Sequence, residues 1–542
     1  MAKFTCDLAL TGGTVFTGNP ILPRAQAVAV KGNKIIAVGS DEGIRALIGR
    51  NTRVIALGGR FAGPGFNDAH THLLGGGFAL TRLDLTGAAS LDVLRERVAL
   101  AAAKLGPGSW LEGRGWDQTL LPGGDWPPLG LLDEAAGGRP AFLWRADGHT
   151  AWASSAALAT AGIRAGTADP AGGEIVRDGS GAPTGILKES ATTLVERVIP
   201  KPGPAEHAAA VGAALGELRR HGITSVSDFS PPEAVRVYRQ LRQERRLTAR
   251  INEWAPLADS LDEGEQLREH LGPDDHYLRC TTLKAFLDGT LGSRTAAMRE
   301  PYDDAPGESG LVQIGEDHLR RLVHRAHHAG FQVALHAIGD RACAMALDAI
   351  AQLGPEGAAR RHRIEHAEVV DPADVARFRA AGAVASMQPG QLLSDFRWLM
   401  GRLGERRARA AFPWRGLLDA GARVILGSDW PIEPLDPLRG LYAATADLRA
   451  EESAASAPGL RAGRAMRPEE ALGAATLGPA WATFEDSLKG SVQTGRLADL
   501  VVLSADPTRI GPDALPAVTV DYTIFDGKVV HAREESEPPP GA

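Results

Sequence analysis

The chain has 542 residues, which is too long for one ordinary domain and indicates two or three folding units. Hydrophobic residues make up 44% of it and charged residues 23%, proportions typical of a globular protein with a substantial core. The net charge of −7, with no lysine-rich arm, argues against a nucleic-acid partner.

The cysteine content and the apolar runs bear on location. Cys6, Cys280 and Cys343 are widely spaced, form no CxxC pair and cannot build a disulfide framework, which is typical of a reducing compartment. The first residues show no apolar segment of a secretory signal, and no uncharged apolar run reaches the ~18–20 residues of a membrane-spanning helix. We therefore expect a cytoplasmic, soluble protein without a membrane partner.

The N-terminal region reads as short strands joined by glycine-containing turns. Ala27–Val30 and Lys34–Val38, for example, flank the turn Lys31-Gly32-Asn33, which is a hairpin signal. The same pattern returns near the other end in Ala498–Leu503 and Val518–Ile524. We predict that the two ends form one small β-sandwich from residues 1–62 and 485–535.

The central region, residues 63–484, alternates short apolar strands with Ala/Leu/Arg-rich helices, which favours an α/β fold with a parallel sheet. Eight strands can be identified, as a (β/α)₈ TIM barrel requires. They are Gly65–His72, Ile223–Phe229, Ala249–Trp254, Thr282–Leu287, Gln332–His336, Arg363–His366, Ala383–Met387 and Val424–Ser428.

The connection after the first barrel strand, about residues 75–215, is too long for one βα unit and predicts a large inserted subdomain. It contains five of the ten tryptophans: Trp110, Trp116, Trp126, Trp144 and Trp152. Packing in the subdomain core is the simpler expectation for each, and one or two of them lining a substrate channel is the alternative. The acidic, proline-rich residues 536–542 predict a disordered tail.

The first chemical signal is the pair His70 and His72 at the end of the first barrel strand. Residues two apart on a strand point to the same side, and neutral imidazoles are good ligands for Zn²⁺ and similar ions. His336, His366 and Asp429 end or follow strands five, six and eight. Because the carboxyl ends of parallel barrel strands surround one mouth, these five side chains predict a metal site there.

Lys284 lies within the apolar fourth barrel strand, where a lysine is costly unless it is neutralised or paired. One solution is reaction with CO₂ to a carbamate, whose two oxygens can bridge two cations. The alternative is an ion pair with a neighbouring acid such as Asp288.

Four further residues are candidates for substrate contacts. His149 could enter the pocket from the insertion or serve a structural role, and Arg294 could bind a substrate carboxylate or stabilise its glycine-rich loop. Gln388 and Trp430 follow strands seven and eight. We predict that these two side chains contact substrate.

The chain resembles the amidohydrolase superfamily, and within it the amidohydrolase family 3 branch of YtcJ-like and N-substituted formamide deformylase-like proteins. Segments that carry the resemblance follow one another along nearly the whole chain. They are GPGFNDAHTHL (63–73), DGHTAW (147–152), GILKE (185–189), GITSVSDF (222–229), LKAFLDGTLGSRTA (283–296), ALHAIGD (334–340), RIEHA (363–367), GSDWPIEPLDPL (427–438) and GRLADLVVL (495–503).

The resemblance implies a β-sandwich plus barrel with one or two divalent metal ions, of which Zn²⁺ is the favoured one. His70 and His72 would bind the more buried ion with Asp429. His336 and His366 would bind a second ion, and carboxylated Lys284 would bridge the two.

These groups predict metal-dependent hydrolysis of an amide or N-substituted formamide. Metal-bound water ionises near neutral pH, and Asp429 can take a proton from it and pass that proton to the leaving nitrogen. The alternatives are a deaminase, a cyclic imide or urea hydrolase, an esterase or lactonase, and a non-catalytic barrel. The expected partner is a small-molecule substrate, and a homodimer is a common state for such enzymes.

Overall fold

The computed structural model describes residues 5–106, 108–272, 275–448 and 463–533. The predicted disordered tail, residues 536–542, lies outside them. The chain divides into two compact units. One comprises the described residues up to Leu73 and from Leu215 onward, and the other comprises Leu74–Ala214.

The larger unit contains an eight-stranded parallel sheet whose strands follow one another in chain order. We number them barrel strands 1 to 8. They are Phe66–Thr71, Ile223–Asp228, Arg250–Pro256, Leu278–Phe286, Gln332–Ala337, Arg363–His366, Val384–Met387 and Arg423–Leu426. The predicted TIM barrel is thereby confirmed: the sixth strand has its predicted bounds, and the other strand ends differ by at most four residues.

Backbone contacts just beyond strand 8 close the sheet into a barrel. Thr71 and Trp430 form a parallel bridge between the first and last segments. The backbone N–H of Asp429 donates to the carbonyl of His70 at 2.8 Å, and that of His72 donates to the carbonyl of Trp430 at 2.8 Å.

Helices follow the barrel strands, as βα units require. After strands 2 to 8 in turn they are Pro232–Gln243, Asp262–Leu271, Glu316–His328, Asp340–Ala351 with Gly354–Ala359, Val375–Ala381, Pro389–Ala410 with Trp414–Asp419, and Pro437–Thr445. Pro468–Ala474 and Leu477–Ala482 come next, and the latter packs against strands 1 and 8.

Two sheets built from both chain ends form the predicted sandwich. The four-stranded sheet has the order Lys34–Gly39, Ala27–Lys31, Leu8–Thr11 and Arg53–Ala56. The six-stranded sheet has the order Lys528–Ala532, Val520–Phe525, Leu500–Leu503, Phe61–Pro64, Thr14–Phe16 and Arg24–Ala25. A short helix, Asp41–Arg45, and the 3₁₀ helix Pro512–Ala517 accompany them.

The sandwich core interleaves residues from both ends, with Leu10, Val30 and Ile55 packed in one cluster with Val502 and Ile524. Burying apolar surface from both ends in one core ties the termini together. Phe61–Pro64 belongs to the sandwich and leads almost directly into barrel strand 1. The start of barrel strand 1 is therefore anchored in the sandwich.

The smaller unit is built on a six-stranded mixed sheet. Its order is Gly173–Arg177, Pro183–Glu189, Thr150–Ala153, Ala141–Arg145, Leu111–Trp116 and Leu83–Asp84. The helices are Leu91–Ala102, Leu129–Ala135, Ser155–Thr160 and Thr193–Glu196, with 3₁₀ helices Gln118–Leu120, Pro122–Gly124 and Ser190–Thr192. Leu73–Thr81 and Pro204–Arg220 lie at its boundaries.

The tryptophans of this unit form its core. Trp116 and Trp152 are fully buried in one cluster, and Trp126 packs against it. Trp110 and Trp144 pack against a second cluster. Core packing is the role the structure gives all five.

Within the described residues, no helix is long and apolar enough to cross a membrane.

A buried ion pair joins the barrel to the sandwich. Arg250, at the start of strand 3, donates from Nε and Nη2 to the two carboxylate oxygens of Asp499 at 2.6 and 2.9 Å. Its Nη2 also donates to Asp526 at 3.1 Å. Both Arg250 and Asp499 are buried, so neither can exchange its partner for water.

Replacing Asp499 tests this joint. We expect Asp499→Asn to lower the free energy of unfolding by about 3 kcal/mol, because buried Arg250 loses the carboxylate that binds it at two points and keeps only its contact with Asp526. Asp419→Asn is the matched control: Asp419 pairs with Arg415 at a position 67% exposed, where an ion pair contributes less than about 1 kcal/mol. Denaturant unfolding measures both, and equal stability of the two variants would contradict the assignment.

Candidate metal centre

Three predicted ligands meet at the carboxyl end of the barrel. Nε2 of His72 lies 3.1 Å and Nε2 of His70 lies 3.5 Å from Oδ1 of Asp429. One ligand atom from each residue can be chosen so that all three lie within 4.8 Å of one another. Among the described residues this is the one group of three or more such side chains that meets the spacing of a metal site.

The backbone at these positions is strained. His366 ends strand 6 and has a φ of 72°. Asp429 follows strand 8 and has a φ of 60°. A residue with a side chain seldom adopts this left-handed conformation, and such strain concentrates at functional sites. Both residues lie at the mouth of the barrel, where their strands end.

The second ring nitrogen of each strand-1 histidine is already occupied. Nδ1 of His72 lies 2.9 Å from the carbonyl oxygen of Phe229, and Nδ1 of His70 lies 2.9 Å from Oε2 of Glu365. A carbonyl and a carboxylate can only accept, so Nδ1 carries the proton in each ring. The lone pair of each Nε2 is left to face Asp429, as a metal ligand requires.

The charge states agree with this arrangement. Burial lowers the pKa of His70 to about 4, with the Lys284 charge acting in the same direction, so this imidazole is neutral at pH 7. Burial raises the pKa of Asp429, but His70, His72 and His366 outweigh it and hold the pKa well below its usual range. The neutral His70 imidazole beside an ionised carboxylate fits a divalent cation such as Zn²⁺.

Lys284 reaches the same point from strand 4. Its Nζ lies 3.2 Å from Nε2 of His70 and packs near the rings of Trp254 and Phe286. Burial lowers the pKa of Lys284 to about 8, which makes part of it the neutral amine that can react with CO₂. Asp288, the alternative partner, instead accepts hydrogen bonds from backbone N–H groups of three other residues: Ala297, Ile338 and Gly339.

His336 and His366 complete the predicted set. Their ring centroids lie 4.4 Å apart, and the His366 ring lies 5.3 Å from that of His70. Nε2 of His336 is 3.1 Å from the carbonyl oxygen of Gly289. Burial lowers the pKa of His366 to about 3, so it also is a neutral donor. The structure thus brings all six predicted ligands to one mouth.

The four candidates for substrate contacts have different surroundings. Arg294 donates to Asp304 from Nε and Nη2 at 3.1 and 3.0 Å, which is the loop-stabilising pair and leaves its guanidinium engaged. Trp430 is buried and closes the barrel through its backbone. Gln388 is buried at the start of the helix after strand 7. His149 belongs to the smaller unit, where its Nδ1 lies 2.9 Å from Oε2 of Glu189.

The pair Arg363 and Glu365 inside the barrel was missed by sequence reasoning. Arg363 binds both oxygens of Glu365 at 2.8 and 3.2 Å, and also the carbonyl of Ala69 at 2.6 Å and Oγ of Ser386 at 2.8 Å. Burial raises the pKa of Glu365, but Arg363 and His70 outweigh it and hold the pKa far below its usual range. The available signal was two opposite charges at alternate positions of a predicted barrel strand, Arg363 and Glu365.

Two other polar residues support the ligands. Oδ1 of Asp68 accepts from the backbone N–H groups of His70 at 3.1 Å and Ser428 at 2.9 Å, which braces strand 1 against the segment after strand 8. Nε2 of Gln391 donates to Oδ2 of Asp429 at 3.1 Å, and its Oε1 lies 3.3 Å from Nδ1 of His366. Nothing in the local sequence distinguishes Gln391 from other helical glutamines.

Comparisons with known proteins show which family the chain matches. A family model described as "Amidohydrolase family" matches residues 53–531. The chain is 33% identical to the putative amidohydrolase YtcJ of Bacillus subtilis, covering 96% of this chain and 99% of that protein. It is 29% identical to the N-substituted formamide deformylase of Arthrobacter pascens, covering 98% and 99%.

A solved structure is similar over the same length. An uncharacterized metal-dependent hydrolase from Pyrococcus horikoshii superposes with a TM-score of 0.76 at 28% sequence identity, covering 93% of this chain and 99% of that one. The likeness therefore includes the sandwich and the barrel, and it is not limited to the histidine motifs.

Removing the Glu365 charge tests the orientation of His70. We expect Glu365→Gln to lower metal affinity about 10–100-fold, because the amide no longer secures the Nδ1–H tautomer. Glu469→Gln, an exposed position on a surface helix, is the matched control. Competition with a fluorescent chelator measures both, and unchanged affinity in Glu365→Gln would contradict this role.

Proposed function

Because this chain belongs to the amidohydrolase family, we propose that it is a metal-dependent hydrolase that cleaves the C–N bond of an amide or an N-substituted formamide. The observation that carries the proposal is the meeting of His70, His72 and Asp429 at one end of the closed barrel. A binding module would have no need of a buried aspartate that can act as an acid and a base beside two histidines.

The residues present fit a divalent cation. His70, His72 and Asp429 would hold the more buried ion, and His336 with His366 would hold a second one bridged by carboxylated Lys284. When bound, such an ion lowers the pKa of water to near ~7 and polarises a carbonyl group. Zn²⁺ is the favoured ion because imidazole nitrogen and carboxylate oxygen are its usual ligands.

Asp429 is the proposed proton carrier. Its pKa lies well below the usual range, so the carboxylate is ionised and can accept a proton from the attacking water. Oδ1 faces the two imidazole nitrogens, whereas Oδ2 is held by Gln391. We assign the proton to Oδ2, from which it passes to the leaving nitrogen and completes breakage of the C–N bond.

The similarity to an N-substituted formamide deformylase supports the C–N bond as the target. An amide nitrogen is a poor leaving group until it is protonated. A carboxylate that first takes a proton and then returns it suits this bond, since one group serves as base and then as acid.

Metal content is the first test. Protein purified without added metal or chelator should hold about two transition-metal equivalents per chain, falling in Lys284→Ala but not in the exposed control Lys528→Ala. About one equivalent, unchanged in Lys284→Ala, would contradict the bridging carbamate while leaving hydrolysis intact. No metal, even after incubation with Zn²⁺ and bicarbonate, would overturn the proposed mechanism. Elemental analysis gives all three results.

Activity of an Asp429 variant is the second test. On a panel of N-formyl, N-acyl and ester substrates, Asp429→Asn should lower kcat about 10²–10⁴-fold, because the amide cannot carry the proton. Metal content measured on the same sample separates loss of the proton carrier from loss of a ligand. Asp513→Asn, an exposed site, should leave kcat unchanged. Turnover of esters alone by the unmodified protein would contradict the C–N assignment.

A further inference from the structure

A single side chain of strand 2 holds the chain on both sides of the candidate ligand His72. Oδ1 of Asp228 accepts from the backbone N–H of Leu73 at 2.7 Å and from the hydroxyl of Thr71 at 3.3 Å. Asp228 is the last residue of strand 2 and is fully buried. Because Thr71 and Leu73 flank His72, this carboxylate fixes the backbone from which the His72 side chain projects.

The residue after Asp228 holds the ring of the same histidine. The carbonyl oxygen of Phe229 lies 2.9 Å from Nδ1 of His72, and the backbone N–H of Phe229 donates to the carbonyl of Thr71 at 2.9 Å. The two rings lie edge to face with centroids 6.0 Å apart. The acceptor that selects the His72 tautomer is therefore joined directly to Asp228, and a shift of one moves the other.

The second oxygen of Asp228 is held from the outer layer of the barrel. Tyr238, on the helix Pro232–Gln243, donates from its hydroxyl to Oδ2 of Asp228 at 2.8 Å. Tyr238 is only 1% exposed. Burial raises the pKa of Tyr238 well above its usual range, with Asp228 acting in the same direction, so the phenol keeps the proton that it donates. Both oxygens of Asp228 are thus engaged, and its carboxylate cannot rotate without breaking a buried hydrogen bond.

We propose that Tyr238, acting through Asp228, is a positioning residue for the candidate metal ligand His72. The hydroxyl orients the Asp228 carboxylate, which in turn fixes the segment that directs Nε2 of His72 at Asp429. Groups that orient a metal-binding histidine change metal affinity about 10–100-fold. This inference rests on the proposed metal-dependent function, and it adds a residue of the outer helices to those on which the metal centre depends.

The alternative is that the Tyr238 hydroxyl contributes to stability alone. In that case its removal lowers the melting temperature and changes neither the His72 tautomer nor the metal affinity. Tyr277 provides a matched control, since its hydroxyl also donates to an aspartate, Asp526. Tyr277 directly precedes strand 4 and therefore lies at the amino end of the barrel, away from the candidate ligands.

Nuclear magnetic resonance of the metal-free protein tests the positioning without any ion. In protein labelled with ¹⁵N-histidine, His72→Gln identifies the His72 ring signals by their absence. These signals should show the Nδ1–H tautomer alone in the unmodified protein and in Tyr277→Phe, but a mixture of both tautomers in Tyr238→Phe. An unchanged His72 tautomer in Tyr238→Phe would overturn the proposal.

Zn²⁺ affinity, measured by competition with a fluorescent chelator, tests the consequence for the metal centre. Tyr238→Phe should lower the affinity about tenfold, and Tyr277→Phe should leave it unchanged. Asp228→Ala should lower it at least as much, and adding Tyr238→Phe to Asp228→Ala should have no further effect, since the tyrosine acts through Asp228. Thermal melting verifies that each variant folds, and Tyr238→Phe, which deletes one oxygen atom, carries the test alone if Asp228→Ala does not fold.

The two measurements separate this inference from the proposed function. Additive losses of Zn²⁺ affinity in the double variant would overturn the path through Asp228. A changed His72 tautomer in Tyr238→Phe, together with no Zn²⁺ binding by the unmodified protein, would support the positioning and contradict the proposed function. Zn²⁺ binding that Tyr238→Phe leaves intact would do the reverse.

Discussion

Closure of the barrel between its first and last strands is the constraint on which the site depends. His70 and His72 lie near the start of the chain and Asp429 in its last third, and they become neighbours because backbone hydrogen bonds pair their segments. Asp68 reinforces this seam by accepting from backbone groups on both sides. The backbone contacts that complete the sheet therefore also set the distances between the side chains of His70, His72 and Asp429. A substitution that disturbed these contacts would change those distances.

The buried charged residues inside the barrel hold neighbouring groups in position, and their burial costs some stability. Arg363 and Glu365 are fully buried, and an apolar pair of similar volume would cost less to desolvate. Their hydrogen bonds extend to the backbone of Ala69 and to the ring of His70, so a buried polar network orients this candidate ligand. Gln391, on the helix after strand 7, contacts the side chains of both Asp429 and His366 and orients them in the same way.

The strands and the positions of the six candidate ligands were predictable because each depends on short-range patterns. Apolar runs of β-branched residues identify strands, and a polar residue where such a run ends identifies the barrel mouth. Gln391 was not predictable in this way. It gains its importance from neighbours on other βα units, and a glutamine on a helix has many structural uses. Arg294 is the converse case: the sequence left it as a substrate contact or a loop-stabilising residue, and in the structure its guanidinium pairs with Asp304.

The sequence by itself determined the barrel, the two-ended sandwich and the six side chains at the carboxyl ends of the strands, because strand periodicity and βα alternation are properties of local segments. Tertiary structure decided which nitrogen of His70 and His72 faces Asp429 and which groups neutralise Glu365. Those outcomes depend on distances between residues far apart in the chain, and such distances exist only after the eight strands have closed.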